Sequence, residues 1–277
     1  RKLCQTKYPL RQYERLAPIM RTVRAIKSTT EIEMIQHACN ITEKGFRRVL
    51  NFVKPGVTEY EIQAEYMHEF LRNRSRGFAY EPIIASGYNA CVLHYVENKA
   101  TCKEGEVILM DVGAEYGNFA SDMTRCIPVS GKFSNRQKDV YNSVLKVMKA
   151  ATAMLVPGTK IDDYHKEVGK IMENELIYLG LLDKHDIAKQ DPNNPAYKKY
   201  FMHGTSHHLG LDVHDVENRN RPLEAGMVLT VEPGIYIREE ALGIRLENDV
   251  VVTNDGQPFD LMKNIPLEAE EIEDLMN

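Results

Sequence analysis

Apolar residues recur at helical spacing through the stretch "STTEIEMIQHACNITEKGFRRVL", at Ile32, Ile35, Ala38, Ile41 and Val49. Its start sets Ser28 or Thr30 three residues before a glutamate, the pattern of a capping box. A second helix is predicted in "VKPGVTEYEIQAEYMHEFLR", with Thr58 and Glu61 as its cap. From Ile83 to Val129 the texture changes to short apolar runs broken by glycine and asparagine, which predicts strands and hairpins. "SNRQKDVYNSVLKVMKAATAML" returns to helix behind Ser134 and Gln137, and another helix covers about Asp162 to Leu179. The polar "DKHDIAKQDPNNPAYKK" predicts an exposed loop. Strands resume from about Leu209 to Val252. Residues 1–27, with Arg11, Arg15, Arg21, Arg24 and Lys27, read as a basic connector, partly helical.

The order helices, strands, helices, strands contains a weak internal repeat. "VKPGVTEYEIQAEYMHEF" resembles "LVPGTKIDDYHKEVGKIM", with Pro55 and Pro157 102 residues apart. "GEVILMDVG" resembles "GMVLTVEPG", so that Gly105, Asp111 and Gly113 match Gly226, Glu232 and Gly234. Each half then has a further strand with its own carboxylate, Asp122 in one and Glu247 in the other. A period this long is not a solenoid; it predicts two related α+β halves facing each other across a pseudo-two-fold axis.

Asp111 and Glu232 each end an apolar run of the kind that forms a buried strand, where carboxylates are almost never found without a partner. Taken singly, each could simply begin a turn, since Gly113 and Pro233-Gly234 follow. The pseudo-symmetry makes Asp111, Asp122, Glu232 and Glu247 converge. Two unit charges about 4 Å apart repel by ~4 kcal/mol at an effective dielectric of ~20. If half of the six pairs are that close, the repulsion is on the order of 10 kcal/mol, against a domain stability of roughly 5 to 15 kcal/mol. Such a cluster must take up protons or hold cations. Oxygen ligands with one imidazole suit manganese, iron, cobalt or zinc.

A supply of imidazole lies between the two carboxylate pairs. "YFMHGTSHHLGLDVHDVE" gathers His203, His207, His208 and His214, four of the chain's nine histidines. The spacing of His203 and His207 would suit a helix, but Gly204, Thr205 and Ser206 are poor helix formers, and a loop entering a strand is expected. Not every histidine there can bind one metal, which leaves some as proton carriers or substrate contacts.

Composition narrows the class. At 277 residues, 43% hydrophobic and 27% charged, the chain has the make-up of an ordinary globular protein. A formal net charge of −5 gives no basic footprint for nucleic acid, and no apolar run approaches the ~18 residues of a membrane span. Five scattered cysteines without Cys-x-x-Cys spacing argue against a disulfide framework and fit a reducing, cytoplasmic compartment.

Taken jointly and in order, "VLHYVEN", "ILMDVGAEYGNFASDMTR", "FMHGTSHHLGLDVHDV", "VLTVEPGIYI" and "GIRLEND" resemble the pita-bread metallopeptidases, in particular their proline-directed branch of aminopeptidase P and prolidase. The resemblance covers about residues 28–262. It implies an α+β pita-bread fold, two pseudo-two-fold-related helix-plus-antiparallel-hairpin halves around a curved sheet, with residues 28–277 as the catalytic domain. Residues 1–27 would be the connector from an N-terminal domain that family members usually carry, one that often builds oligomer contacts; a homodimer or higher oligomer is therefore open.

The same resemblance implies two divalent cations, manganese first and cobalt, zinc or iron as alternatives, held by Asp111, Asp122, His207, Glu232 and Glu247. Asp122 and Glu247 would bridge the ions, Asp111 would serve one, and His207 with Glu232 the other. A hydroxide between the ions would attack the peptide bond preceding proline in small peptides, and Glu232 would shuttle the proton. His94, His203 and His214 would line the pocket and handle protons and substrate oxygens, Arg245 would support Glu247, and Tyr236 would sit near the metals. His208 stands where a bulky residue such as tryptophan is common, and Asn248 where aspartate is frequent.

Each residue keeps an ordinary alternative. His94 could be a core histidine in an apolar strand, His214 a surface turn residue between Asp212 and Asp215, Arg245 a plain salt bridge, and His208 structural. The functional expectation is an Xaa-Pro aminopeptidase; the alternatives are a prolidase, which cleaves only dipeptides, and a non-catalytic binding module of the same fold.

Overall fold

A computed structural model describes residues 2–191, 194–216 and 220–277, apart from the side chain at 186. Two short helices, α1 (Lys2–Lys7) and α2 (Ala17–Ala25), precede α3 (Thr29–Phe52), against which α4 (Glu59–Arg72) packs. Both long helices start where the caps predict. The Glu31 carboxylate accepts from the Ser28 amide at 2.8 Å and the Glu61 carboxylate from the Thr58 amide at 2.8 Å, satisfying amides that no helical turn can reach. Their facing stripes, Ile35, Ile41, Phe46 and Val49 against Ile62, Tyr66 and Phe70, are fully buried, each large side chain contributing roughly 1.5–3 kcal/mol.

The first sheet follows: β1 (Ile83–Ser86), β2 (Val107–Val112), the small hairpin β3 (Glu115–Tyr116) and β4 (Phe119–Ala120), and β5 (Met123–Pro128). Its order is β1-β2-β5, antiparallel throughout, with Asp111 opposite Thr124. A second helical pair, α5 (Asn135–Ala153) and α6 (Ile161–Tyr178), and the short α7 (Lys184–Lys189) lead to β6 (Val228–Val231), the hairpin β7 (Gly234–Ile237) and β8 (Leu242–Arg245), β9 (Asn248–Val251), β10 (Phe259–Asp260) and α8 (Ala269–Met276). The second sheet runs β10-β9-β6, again antiparallel. Hairpin β7–β8 stands between β6 and β9 as β3–β4 stands between β2 and β5. The repeat legible in the sequence is thus a repeat of topology.

Arg125, fully buried, ties the halves together. Its guanidinium donates to the Glu247 carbonyl at 2.7 Å, to Asn248 Oδ1 at 2.7 Å and to the Pro266 carbonyl at 2.8 Å. The Asn248 side chain also donates to Asp260 at 2.7 Å, so an amide at this position serves as acceptor and donor at once.

Three expectations differ from what is observed. Residues 209–216 form bends and irregular backbone, 217–219 lie outside the described residues, and among the described residues the strands resume at Val228. Glycine and aspartate there favour local bonds, such as the Asp215 amide to the His208 carbonyl at 2.8 Å, over a ladder. His94 lies on an exposed turn, not in a strand; β1 ends at Ser86, and the Asn98 side chain takes the Ile84 amide at 3.0 Å, where a further ladder bond would otherwise go. The polar stretch 183–199 contains α7 and a 3-10 turn at Ala196–Lys199; residues 192 and 193 lie outside the described ones. Cys4 is exposed, the other four cysteines are buried, and all five are free thiols. Among the described residues no helix is long and apolar enough to cross a membrane.

Gly113, at the end of the run that carries Asp111, has a backbone reason to be glycine. A Cβ there would lie 1.7 Å from the Ser121 carbonyl oxygen. Gly113→Ala is expected to lower stability by about 3 kcal/mol, because backbone rather than a movable side chain must give way; urea unfolding of the two proteins measures it.

Candidate metal centre

The four carboxylates sit at equivalent points of the two halves. Asp111 is the penultimate residue of β2 and Glu232 directly follows β6; Asp122 directly precedes β5 and Glu247 directly precedes β9. Strand alternation and the two hairpin turns aim all four into one cavity of about 440 Å³. Ligand atoms of Asp122, His207 and Glu247 lie within 4.8 Å of one another. Asp111 and Asp122 are joined through Tyr80, whose hydroxyl is 2.6 Å from Oδ1 of each. Glu232 Oε1 is 3.6 Å from His207 Nε2, and Asp122 Oδ2 is 3.4 Å from it.

The histidine loop faces this group. His207 donates from Nδ1 to the His208 carbonyl at 3.0 Å, which turns Nε2 toward the carboxylates and fixes the tautomer a metal would require. His203 Nδ1 lies 2.8 Å from the Gly204 carbonyl and Nε2 lies 2.8 Å from the Tyr236 hydroxyl. Since a carbonyl only accepts, Nδ1 carries the proton, and the Tyr236 hydroxyl donates to Nε2. Tyr236 in turn accepts from Arg245 Nη1 at 2.8 Å. His94 and His214 are exposed on turns and line the cavity, the ring of His214 standing edge-on to that of His207 at 4.3 Å. His208 is buried away from the cavity and bridges to Leu229.

Arg245 differs from the expectation. Its direct partners are Asp111 at 2.5 Å, Tyr236, and Thr124 Oγ1 at 3.1 Å. It reaches Glu247 through Thr124, which donates to Glu247 Oε2 at 2.6 Å. Its planar fork is thereby spread over three residues, which a lysine could not reproduce.

Burial dominates the electrostatics. It raises the Asp111 and Glu247 carboxyls above their ordinary range, and the charges of Asp122, Glu232 and Asp111 push Glu247 further. Burial, partly offset by His207 and Arg245, lifts Glu232 to about 7. His207 moves the other way: although burial opposes its charge, Asp122 and Glu232 hold it up to about 9. Burial and the Arg245 charge drive His203 down to about 3, so it is neutral. These shifts are those of carboxylates short of positive charge. The donors, oxygens with one imidazole whose free nitrogen already faces them, fit divalent cations.

Tyr80, Thr124 and Asp249 were not legible as site residues. Asp249 is fully buried, and its Oδ2 accepts the Asp122 amide at 2.9 Å, behind the cluster. Tyr80 lies in an unpatterned loop that carries no signal. Asp249 had one, a carboxylate on the apolar face of "NDVVV".

The fold and this site define a metallopeptidase scaffold, and comparison with known proteins agrees. Residues 33–254 match metallopeptidase family M24. The chain is 41% identical over 274 residues to the Xaa-Pro aminopeptidase of Haemophilus influenzae, covering 94% of this chain and 63% of that protein. A Bacillus anthracis structure superposes with a TM-score of 0.92 at 37% identity, over 99% of this chain and 64% of that one. Zinc-substituted Escherichia coli aminopeptidase P in complex with product superposes at 0.87 with 39% identity, over 94% and 61%. The chain belongs to metallopeptidase family M24 and has the pita-bread fold. It spans about three fifths of the length of these relatives.

Between pH 6.5 and 9 the metal-free protein is expected to lose roughly 2 to 3 kcal/mol of stability. His207 has a folded-state pKa raised above its unfolded value, so its contribution is complete below about 6.5 and is lost as pH rises through about 9. Saturating Mn²⁺ should remove that slope and raise the melting temperature more at pH 8 than at pH 5, since the ligands must be deprotonated to bind it. Urea titrations with chelator and with metal measure both.

Proposed function

We propose that this chain is the catalytic part of a metal-dependent Xaa-Pro aminopeptidase, releasing the first residue of peptides with proline in second position. The observation that carries the reading is the convergence of Asp122, His207 and Glu247 within 4.8 Å, with Asp111 and Glu232 alongside and neutral His203 at the rim. Kinship to relatives named Xaa-Pro aminopeptidase supports the substrate class.

Asp111, Asp122, His207, Glu232 and Glu247 would hold two divalent cations, manganese first. When bound, such ions polarise a carbonyl and make water nucleophilic near neutral pH. The protein's own groups do the rest. Glu232, which lies in the cavity beside His207, would take the proton of the attacking water and pass it to the prolyl nitrogen as the peptide C–N bond breaks. His203, held by Tyr236 and the Gly204 carbonyl, cannot flip its tautomer, so a substrate oxygen at this wall meets a fixed ring. Arg245 restrains Asp111 and Tyr236 together, and His94 and His214 close the outer wall.

With Mn²⁺ the protein should cleave Ala-Pro-Xaa tripeptides between alanine and proline. Chelator should abolish this, and Glu232→Ala should lower kcat about 10³-fold, as chromatography of the products would read. Cleavage of Ala-Pro but not of the tripeptide would make it a prolidase instead; metal binding with no hydrolysis of either would make it a binding module.

A further inference from the structure

We propose that Glu59, outside the lining of the carboxylate cavity, is a positioning residue that holds the pocket wall carrying His94. Glu59 opens α4, and its side chain is completely buried. Among the described residues it makes no ion pair. It is instead surrounded by donors from one segment. Oε1 accepts from the Ser86 amide at 2.8 Å and from Asn89 Nδ2 at 3.1 Å; Oε2 accepts from the Tyr95 hydroxyl at 2.7 Å and from the Ala100 amide at 2.8 Å. The Glu59 amide also donates to the Ala100 carbonyl at 3.0 Å.

These bonds pin both ends and the middle of residues 86–100. After Ser86, the last residue of β1, the segment contains one 3-10 turn, Gly87–Cys91, and otherwise irregular backbone; outside the Glu59 bonds, the Asn98 side chain ties it to the Ile84 amide and the Pro82 carbonyl. Between the pinned points, Leu93, His94 and Val96 line the cavity. Tyr95, one of the four donors, is the immediate neighbour of His94. A buried carboxylate needs donors on both oxygens, and its place at the first turn of α4 adds the favourable end of the helix dipole. The loop is therefore the counterpart that makes Glu59 tolerable, and Glu59 is the tie that reaches the stretch around His94 through Asn89 and Tyr95. A displacement of about 1 Å in a substrate-facing group can cost up to ~10²-fold in rate. Glu59 is not among the residues that line the cavity, so it acts through His94.

The inference rests on the reading of His94 as a substrate-facing residue, and a double-mutant cycle on the metal-loaded enzyme separates the two. Glutamine in place of Glu59 must turn its NH₂ against a backbone amide on one side or the other. Glu59→Gln is expected to lower kcat/KM about tenfold with metal content unchanged, and to speed hydrogen exchange across 86–100. Tyr95→Phe, which removes one bond only, should do the same more weakly and guards against a failure of Glu59→Gln to fold. In a His94→Ala background either change should alter kcat/KM by less than about twofold. Full losses persisting in that background overturn the positioning role and leave His94 standing. Unchanged activity in His94→Ala alone overturns both.

Discussion

The structure turns on a shortage of positive charge. Four carboxylates enter one cavity, and the cations facing them are Arg245 and, when protonated, His207. Burial strengthens every repulsion among them, and the raised carboxyl affinities of Asp111, Glu232 and Glu247 are its direct expression. Protons can relieve that field at low pH. Near neutrality only bound cations do so without taking the carboxylates out of their charged form, and this is why the cluster reads as a metal centre rather than as an ion-pair network.

Buried carboxylates elsewhere show the contrast. Glu59 is as deeply buried as any, yet each of its oxygens accepts two hydrogen bonds. Asp215 is met by Lys27 and Arg24, which also anchor the segment before α3 to the loop that carries His214. Donors and cations satisfy these groups within the protein. In the cavity, Asp122 and Glu247 keep oxygens aimed at one another and at His207. The fold separates carboxylates that hold structure from carboxylates that seek a ligand by how completely the backbone supplies donors.

A belt of neutral and charged groups fixes the geometry around that cluster. Arg245 holds Asp111, Thr124 and Tyr236, Thr124 holds Glu247, and Tyr236 holds His203. Because every member has more than one partner, none can rotate alone. Arg125 does the same for the Glu247 carbonyl and the Asn248 side chain that follows it. These ties connect the two halves, so the relative placement of the hairpins and the positions of the carboxylates are set by one set of bonds.

Helix starts, strand-hairpin order and the internal repeat could be read from local pattern, because caps and alternation depend on neighbours within a few residues: Ser28, Thr58 and Ser134 each mark a helix where one forms. The carboxylates could be suspected because Asp111 and Glu232 interrupt apolar runs, and family resemblance supplied their roles. What lay outside the sequence's reach were contacts across more than a hundred residues and between irregular loops. Tyr80 bridging two aspartates, Thr124 standing between Arg245 and Glu247, the turn that exposes His94, and the bends that replace a strand at 209–216 all depend on where separate segments come to rest. The sequence by itself determined which elements form and which side chains have the chemistry to bind a cation. Only the tertiary structure decided which oxygens share a cavity, which are already satisfied by donors, and which histidine nitrogen faces them, since orientation and solvent exclusion are properties of the packed chain and not of any stretch of it.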